Sequence, residues 1–277
     1  MTELVPFERY RGGHLITLPA RLDGAVPTRL ALDTGIGVNL ISAALCERQG
    51  WKPTGESCTG RRMSGQSLTV PLTRVPSISV GAFRQENVVA GIADLSGFFP
   101  GDPSIEGILA PQFFAPWPFA LNSVTRTLRV MQGEVAGRGA GVAVEVPLIL
   151  ERDGPALRLF VDLRLPSGSA ARVEVDTGSD SLILHTRYMK ELGVDPDRVS
   201  VRTVQGKDET GHSYTRFFAQ VLGPVSLLAA PTILQRDPPV MFQQIIYDGL
   251  LGDAFLRSYD VTYDLAGSRL LFADPSL

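Results

Sequence analysis

The chain has 277 residues, 44% of them hydrophobic and 20% charged, and no window approaches 18 unbroken apolar residues. These values exclude a disordered chain and a membrane-spanning helix. A formal net charge of −3, with the 26 Lys and Arg scattered, gives no electrostatic basis for partnership with nucleic acid or an anionic membrane.

The length admits one large or two small domains. The 28 glycines and 20 prolines, with no low-complexity tract, predict many short strands joined by tight turns. Cys46 and Cys58 have neither zinc-finger spacing nor a C-x-x-C pairing, so they are read as free thiols, with a single bridge left open for an exported protein. The first residues show no basic n-region, apolar core or A-x-A site, a reading that favours the cytoplasm unless an export signal has been trimmed.

In chain order, residues 14–22 and 28–32 alternate or run apolar around Asp23-Gly24, which predicts a hairpin. Asp33-Thr34-Gly35 follows, then a short strand over 38–41. Ser42 is placed to cap a helix over 43–49 that Gly50 stops. Gly60 and Gly65 frame a turn, the aromatic and proline-rich stretches 98–103 and 113–119 suggest core, and a strand closes at 127–130.

The glycine-rich stretch 133–141 has no periodicity and is taken as a linker. Strands are then predicted over 147–150, 157–165 and 172–175, followed by Asp176-Thr177-Gly178, a strand over 181–184 and a helix over 185–192 ending at Gly193. Gly206 and Gly211 frame a second turn, 235–246 reads as a cleft-edge loop or a long connection, and 269–272 closes the chain as a strand.

This order is a duplication. Leu30-Ala31-Leu32-Asp33-Thr34-Gly35 returns 143 residues later as Val173-Glu174-Val175-Asp176-Thr177-Gly178. Gly107-Ile108-Leu109-Ala110 returns as Gly249-Leu250-Leu251-Gly252. The expected organisation is a lobe over 1–133, a linker over 134–141 and a second lobe over 142–277.

Each Asp-Thr-Gly follows one apolar strand and precedes another, so pseudo-twofold packing would bring Asp33 and Asp176 face to face. Two adjacent carboxyls cannot both ionise easily and hold one proton between them, which supplies an acid and a base at one place. The base activates a water against a carbonyl while the acid protonates the carbonyl oxygen. Gly35 and Gly178 allow close backbone approach, and Thr34 and Thr177 offer hydroxyls across the axis. Ser179 is placed to hydrogen-bond one carboxylate where its counterpart Ile36 cannot, so Asp176 is expected to be the more readily ionised of the two.

On these residues, and on Leu250-Leu251-Gly252 with its first-half counterpart Ile108-Leu109-Ala110, the chain resembles the aspartic peptidases. It is most similar to the bacterial pepsin and retropepsin relatives that fuse two Asp-Thr-Gly halves in one chain. The resemblance implies an all-β fold of two homologous β-barrel lobes with a few short helices, and catalysis by Asp33 and Asp176 in an inter-lobe cleft. It implies endopeptidase activity on a peptide or protein substrate, in a monomer that needs no cofactor or metal.

It also implies hairpin flaps, with candidates at Gly60, Arg61, Arg62, Met63 and Gly65 and at Gly206, Lys207 and Gly211, with Tyr214 close behind. His14, His185 and His212 lack ligand spacing, and no serine-hydrolase elbow, Walker sequence or dinucleotide fingerprint is present. Ile36 and Ala110, departures confined to the first half, motivate an alternative: a peptide- or protein-binding module of the same fold without turnover.

Overall fold

The computed structural model describes residues 2–24, 26–131, 143–208 and 211–276. The predicted linker at 134–141 lies outside them. The fold is mostly β, with three sheets and few helical turns.

One sheet of eight strands is built from the first repeat and another of ten from the second, and both are wired alike around the Asp-Thr-Gly turn. In the first, the strand Val26–Leu32 enters the turn and Leu40–Ser42 leaves it, yet the two are not neighbours. The strand Ile105–Leu109 lies between them, parallel to the first and antiparallel to the second. In the second repeat Gly249–Leu251 lies in the same way between Ala170–Val175 and Leu182–His185.

The glycines within these inserted strands, Gly107 and Gly249, have a steric cause. A Cβ on Gly107 would press on the Leu40 carbonyl, and one on Gly249 on the Ile183 carbonyl. Gly252 likewise packs against the carbonyls of Ser179 and Ser181. In the first repeat Ala110 replaces that glycine and is fully buried, its N–H donating to the Asn39 side chain at 2.9 Å. The extra methyl is therefore accommodated.

The third sheet joins the repeats. Its order is Thr2–Pro6, Thr127–Met131, Phe119–Asn122, then Asp260–Asp264, Arg269–Ala273 and Val144–Pro147. Three strands come from each repeat in mirrored order, and Phe119–Asn122 pairs antiparallel with Asp260–Asp264 at the centre. There Phe119 stacks on Tyr263 with 4.6 Å between ring centroids, and Phe114 and Phe83 continue the aromatic chain into the first repeat. Such ring pairs contribute about 1 kcal/mol each beyond their buried area. The aromatic stretch of the first half is thus core at Phe99, Phe113, Phe114 and Phe119, with Phe98 exposed.

The helix Ala43–Gln49 forms as its sequence dictates. Leu45 N–H donates to Ser42 Oγ, and Gly50 closes it at φ 70°. The second predicted helix does not form. Only a 3-10 turn at Thr186–Tyr188 follows His185, whose Nδ1 accepts from the Arg187 N–H. Looser turns then carry the chain to Gly193, because Tyr188, Met189 and Val194 are drawn into the core. The stretch 235–246 is another correction: Pro239–Gln243 is a strand, parallel to Leu182–His185, and is buried from Val240 to Gln243. Cys46 and Cys58 are both buried and unbridged.

Candidate active site

Both Asp-Thr-Gly turns meet where the sheets of the two repeats face each other. Thr34 N–H donates to Thr177 Oγ1 at 3.0 Å and Thr177 N–H donates to Thr34 Oγ1 at 2.9 Å, a reciprocal contact between equivalent residues. The hydroxyls then donate onward, Thr34 to the Val175 carbonyl and Thr177 to the Leu32 carbonyl, so both turns are anchored to the strand opposite. Thr34 and Thr177 are nearly inaccessible, which leaves these bonds little competition from water.

This contact brings Asp33 and Asp176 together, and their side chains hydrogen-bond each other. Each carboxylate also accepts from the N–H of its own turn glycine, Gly35 to Asp33 and Gly178 to Asp176, both at 2.8 Å. Glycine is obligatory at these places. A Cβ on Gly35 would collide with the Asp176 carboxyl, and one on Gly178 with that of Asp33.

Burial raises the pKa of both aspartates. For Asp176 the negative charges of Asp33 and of Glu174 add to burial and hold it well above the ordinary carboxylate range. Asp33 is raised less because, after burial, the hydrogen bonds from Gly35 and Asp176 and the nearby His14 favour its anion. The two carboxyls thus titrate as one coupled pair. The Ser179 hydroxyl donates to the Ser181 carbonyl at 3.3 Å rather than to a carboxylate.

The two glycine-framed turns are hairpin tips of the same construction. Between strands Pro53–Arg61 and Ser67–Val80, Gly65 N–H donates to the Arg62 carbonyl. Between Arg202–Lys207 and Ser213–Gln220, Gly211 N–H donates to the Asp208 carbonyl. Arg62 and Asp208 pair across the tips. Met63 lies on an apolar wall of the second repeat formed by Ile183, Met241, Ile245 and Leu250, and its carbonyl accepts from the Ile246 N–H at 2.9 Å.

Gly206 exists to admit a ring: a Cβ there would meet the Tyr214 hydroxyl, and Arg216 covers the other side of that ring at 3.8 Å. Tyr214 is thus packed across its own hairpin. Gly60 and Arg61 line the cavity beside Gly35, and Lys207 pairs with Ser213 at the base of its tip.

Sequence reasoning missed the N-terminal strap. Arg9 makes two hydrogen bonds to the buried Asp253 carboxylate, at 2.9 and 3.1 Å, tying the first repeat to the second. His14 Nε2 donates to the Gly178 carbonyl at 2.9 Å, which fixes its tautomer and places it beside the second turn. The available signal was Asp253 itself, a lone charge inside the apolar run from Gly249 to Leu256. Among the described residues no group of three or more His, Cys, Asp or Glu is arranged to hold a metal ion. None of their helices is long and apolar enough to cross a membrane.

Residues 18–113 match the family model described as aspartyl protease, so this part of the chain is similar to that family. The match takes in the first Asp-Thr-Gly turn, the first hairpin tip and the strand through Leu109. No curated protein matches the chain.

Proposed function

We propose that the protein is an aspartic endopeptidase whose two repeats form lobes around a cleft, with Asp33 and Asp176 as the catalytic pair. The observation that carries this reading is the buried, hydrogen-bonded meeting of the two carboxyls, both raised above the ordinary carboxylate range by burial.

In this reading Asp33 takes a proton from a bound water as it attacks the scissile carbonyl carbon. Asp176 donates its proton to the carbonyl oxygen, giving a neutral tetrahedral diol. The C–N bond then breaks as a proton passes from the carboxyl pair to the leaving nitrogen, and the second carboxyl recovers a proton from the diol. Acid and product amine are released, and no acyl-enzyme forms. The hairpin tips cover the extended substrate and exclude water from it.

The test is cleavage of a diverse peptide mixture from mildly acidic to neutral pH by the wild type, Asp33→Asn and Asp176→Asn, with a hydroxyl-bearing transition-state mimic and a chelator as additions. Turnover that vanishes in both variants, yields to the mimic and ignores the chelator supports the dyad. A silent wild type that binds peptides as tightly as the variants supports the binding module instead.

A further inference from the structure

The cavity beside the paired carboxyls contains an acid for which peptide hydrolysis has no use. It measures about 640 Å³ and extends from Gly35 and Gly37 to Arg158, Glu174 and Tyr247. Glu174 lies on the strand Ala170–Val175 two residues before Asp176, close enough for its charge to act on that carboxyl. It is 4% exposed, yet its carboxyl makes no hydrogen bond or ion pair with any described residue. An unpaired acid so deeply buried carries a large desolvation cost, which a ligand can relieve. The equivalent residue of the first repeat is Ala31, packed among Val38, Leu40 and Ile108, so the feature belongs to one side of the site alone.

The charges around it narrow the class of ligand. Arg158 faces the cavity, but Glu151 stands 3.8 Å from its guanidinium and Tyr247 accepts from it at 3.3 Å. Arg61 and Asp153 complete the charged lining. Positive and negative groups are thus balanced before Glu174 is counted, and an ionised Glu174 would stand uncompensated beside Asp33. Burial, with Asp33 and Glu151 adding to it and Arg158 opposing, pushes its pKa up to about 8. A protonated carboxyl offers one donor and one acceptor, the complement of a primary amide.

We propose that this cavity is a side-chain subsite selecting a carboxamide residue, glutamine or asparagine, which pairs with the Glu174 carboxyl. The subsite rests on the reading of the cleft as a peptide site.

The test uses peptides whose scissile bond is replaced by a non-cleavable hydroxyethylene unit, with Gln, Leu, Lys or Glu placed at each flanking position in turn. Binding is measured by calorimetry at pH 6 and pH 9 to the wild type, Glu174→Gln and Glu174→Leu. At one position Gln is expected to bind the wild type at least tenfold more tightly than the other three. Glu174→Gln keeps that preference at both pH values, since its amide still donates and accepts. The wild type loses it at pH 9, where its donor proton is gone, and Glu174→Leu turns it towards Leu.

A Lys preference that Glu174→Gln abolishes, or no position favouring Gln, overturns the proposal. Turnover of the matching cleavable peptides separates the two readings. Cleavage without a Gln preference removes the subsite alone, and a Gln preference without cleavage removes the peptidase alone. Absence of binding to any peptide removes both.

Discussion

Arg62 and Asp208 occupy equivalent places in the two repeats, and they face each other: Arg62 Nη2 lies 3.7 Å from Asp208 Oδ2 at the meeting of the hairpin tips. A strict duplicate would set like against like across a pseudo-twofold axis. Divergence to opposite charges turns that repulsion into a clasp between the two hairpin tips. Asp208 also accepts from the His212 N–H at 3.0 Å, so the acid is oriented by its own hairpin before it meets the arginine.

Reversing one charge should part the tips, and reversing both should bring them back. Asp208→Arg is expected to weaken peptide binding about fivefold, an effect that shrinks in high salt, and Arg62→Asp combined with Asp208→Arg should restore most of it. The check is KM against salt concentration for the three proteins, with hydrogen exchange of the amides of residues 60–66 as an independent readout.

The dyad should give a bell-shaped pH profile displaced upwards. Below both pKa values the pair carries two protons and Asp33 cannot act as the base. Above the raised pKa of Asp176 the pair carries none and the acid is lost. The alkaline limb of kcat/KM is therefore expected well above the pH at which a free aspartic acid titrates, and a limb close to that ordinary value would contradict the burial and charge effects described for Asp176.

Glu174 should cost stability as pH rises. Its folded pKa is about 8 against an ordinary 4.5, so between these values the folded state holds a proton that the unfolded state has released. Folding stability then falls as pH rises through this window, and the contribution of this one group is fully lost above about pH 8. Glu174→Gln removes the effect. Urea midpoints at pH 5 should barely differ from the wild type, while at pH 9 the variant should be more stable by about 2–4 kcal/mol.

Arg9→Met should be among the most damaging single changes outside the dyad. It strands the Asp253 carboxylate in the core with only the half-exposed Arg257 at 3.8 Å, and such uncompensated charges cost about 3–5 kcal/mol. Adding Asp253→Asn should recover much of the loss. Denaturant midpoints of the single and double variants measure the coupling directly.

What could be read in advance was local or repeated. The hairpin around Asp23-Gly24, the capped helix Ala43–Gln49 and the two Asp-Thr-Gly turns depend on neighbouring residues or on a pattern that occurs twice. The failures were long-range. Arg9 and Asp253 are 244 positions apart, and no periodicity links them. The segment after His185 has helix-forming residues, but burial of Tyr188 and Met189 overrides their propensity. The strand Pro239–Gln243 is held by a parallel pairing with Leu182–His185 that proline and glutamine content conceals. The Ser179 hydroxyl, read as a partner for a carboxylate, is taken up by the Ser181 carbonyl, a contact that the comparison of Ser179 with Ile36 leaves out.

The sheet that joins three strands from one repeat to three from the other acts on mass action. When two Asp-Thr-Gly turns belong to separate molecules, dilution lowers the fraction that meets. Here the pairing of Phe119–Asn122 with Asp260–Asp264 makes the encounter intramolecular, and the effective concentration of one turn at the other is set by the fold. Specific activity should therefore stay constant as the protein is diluted.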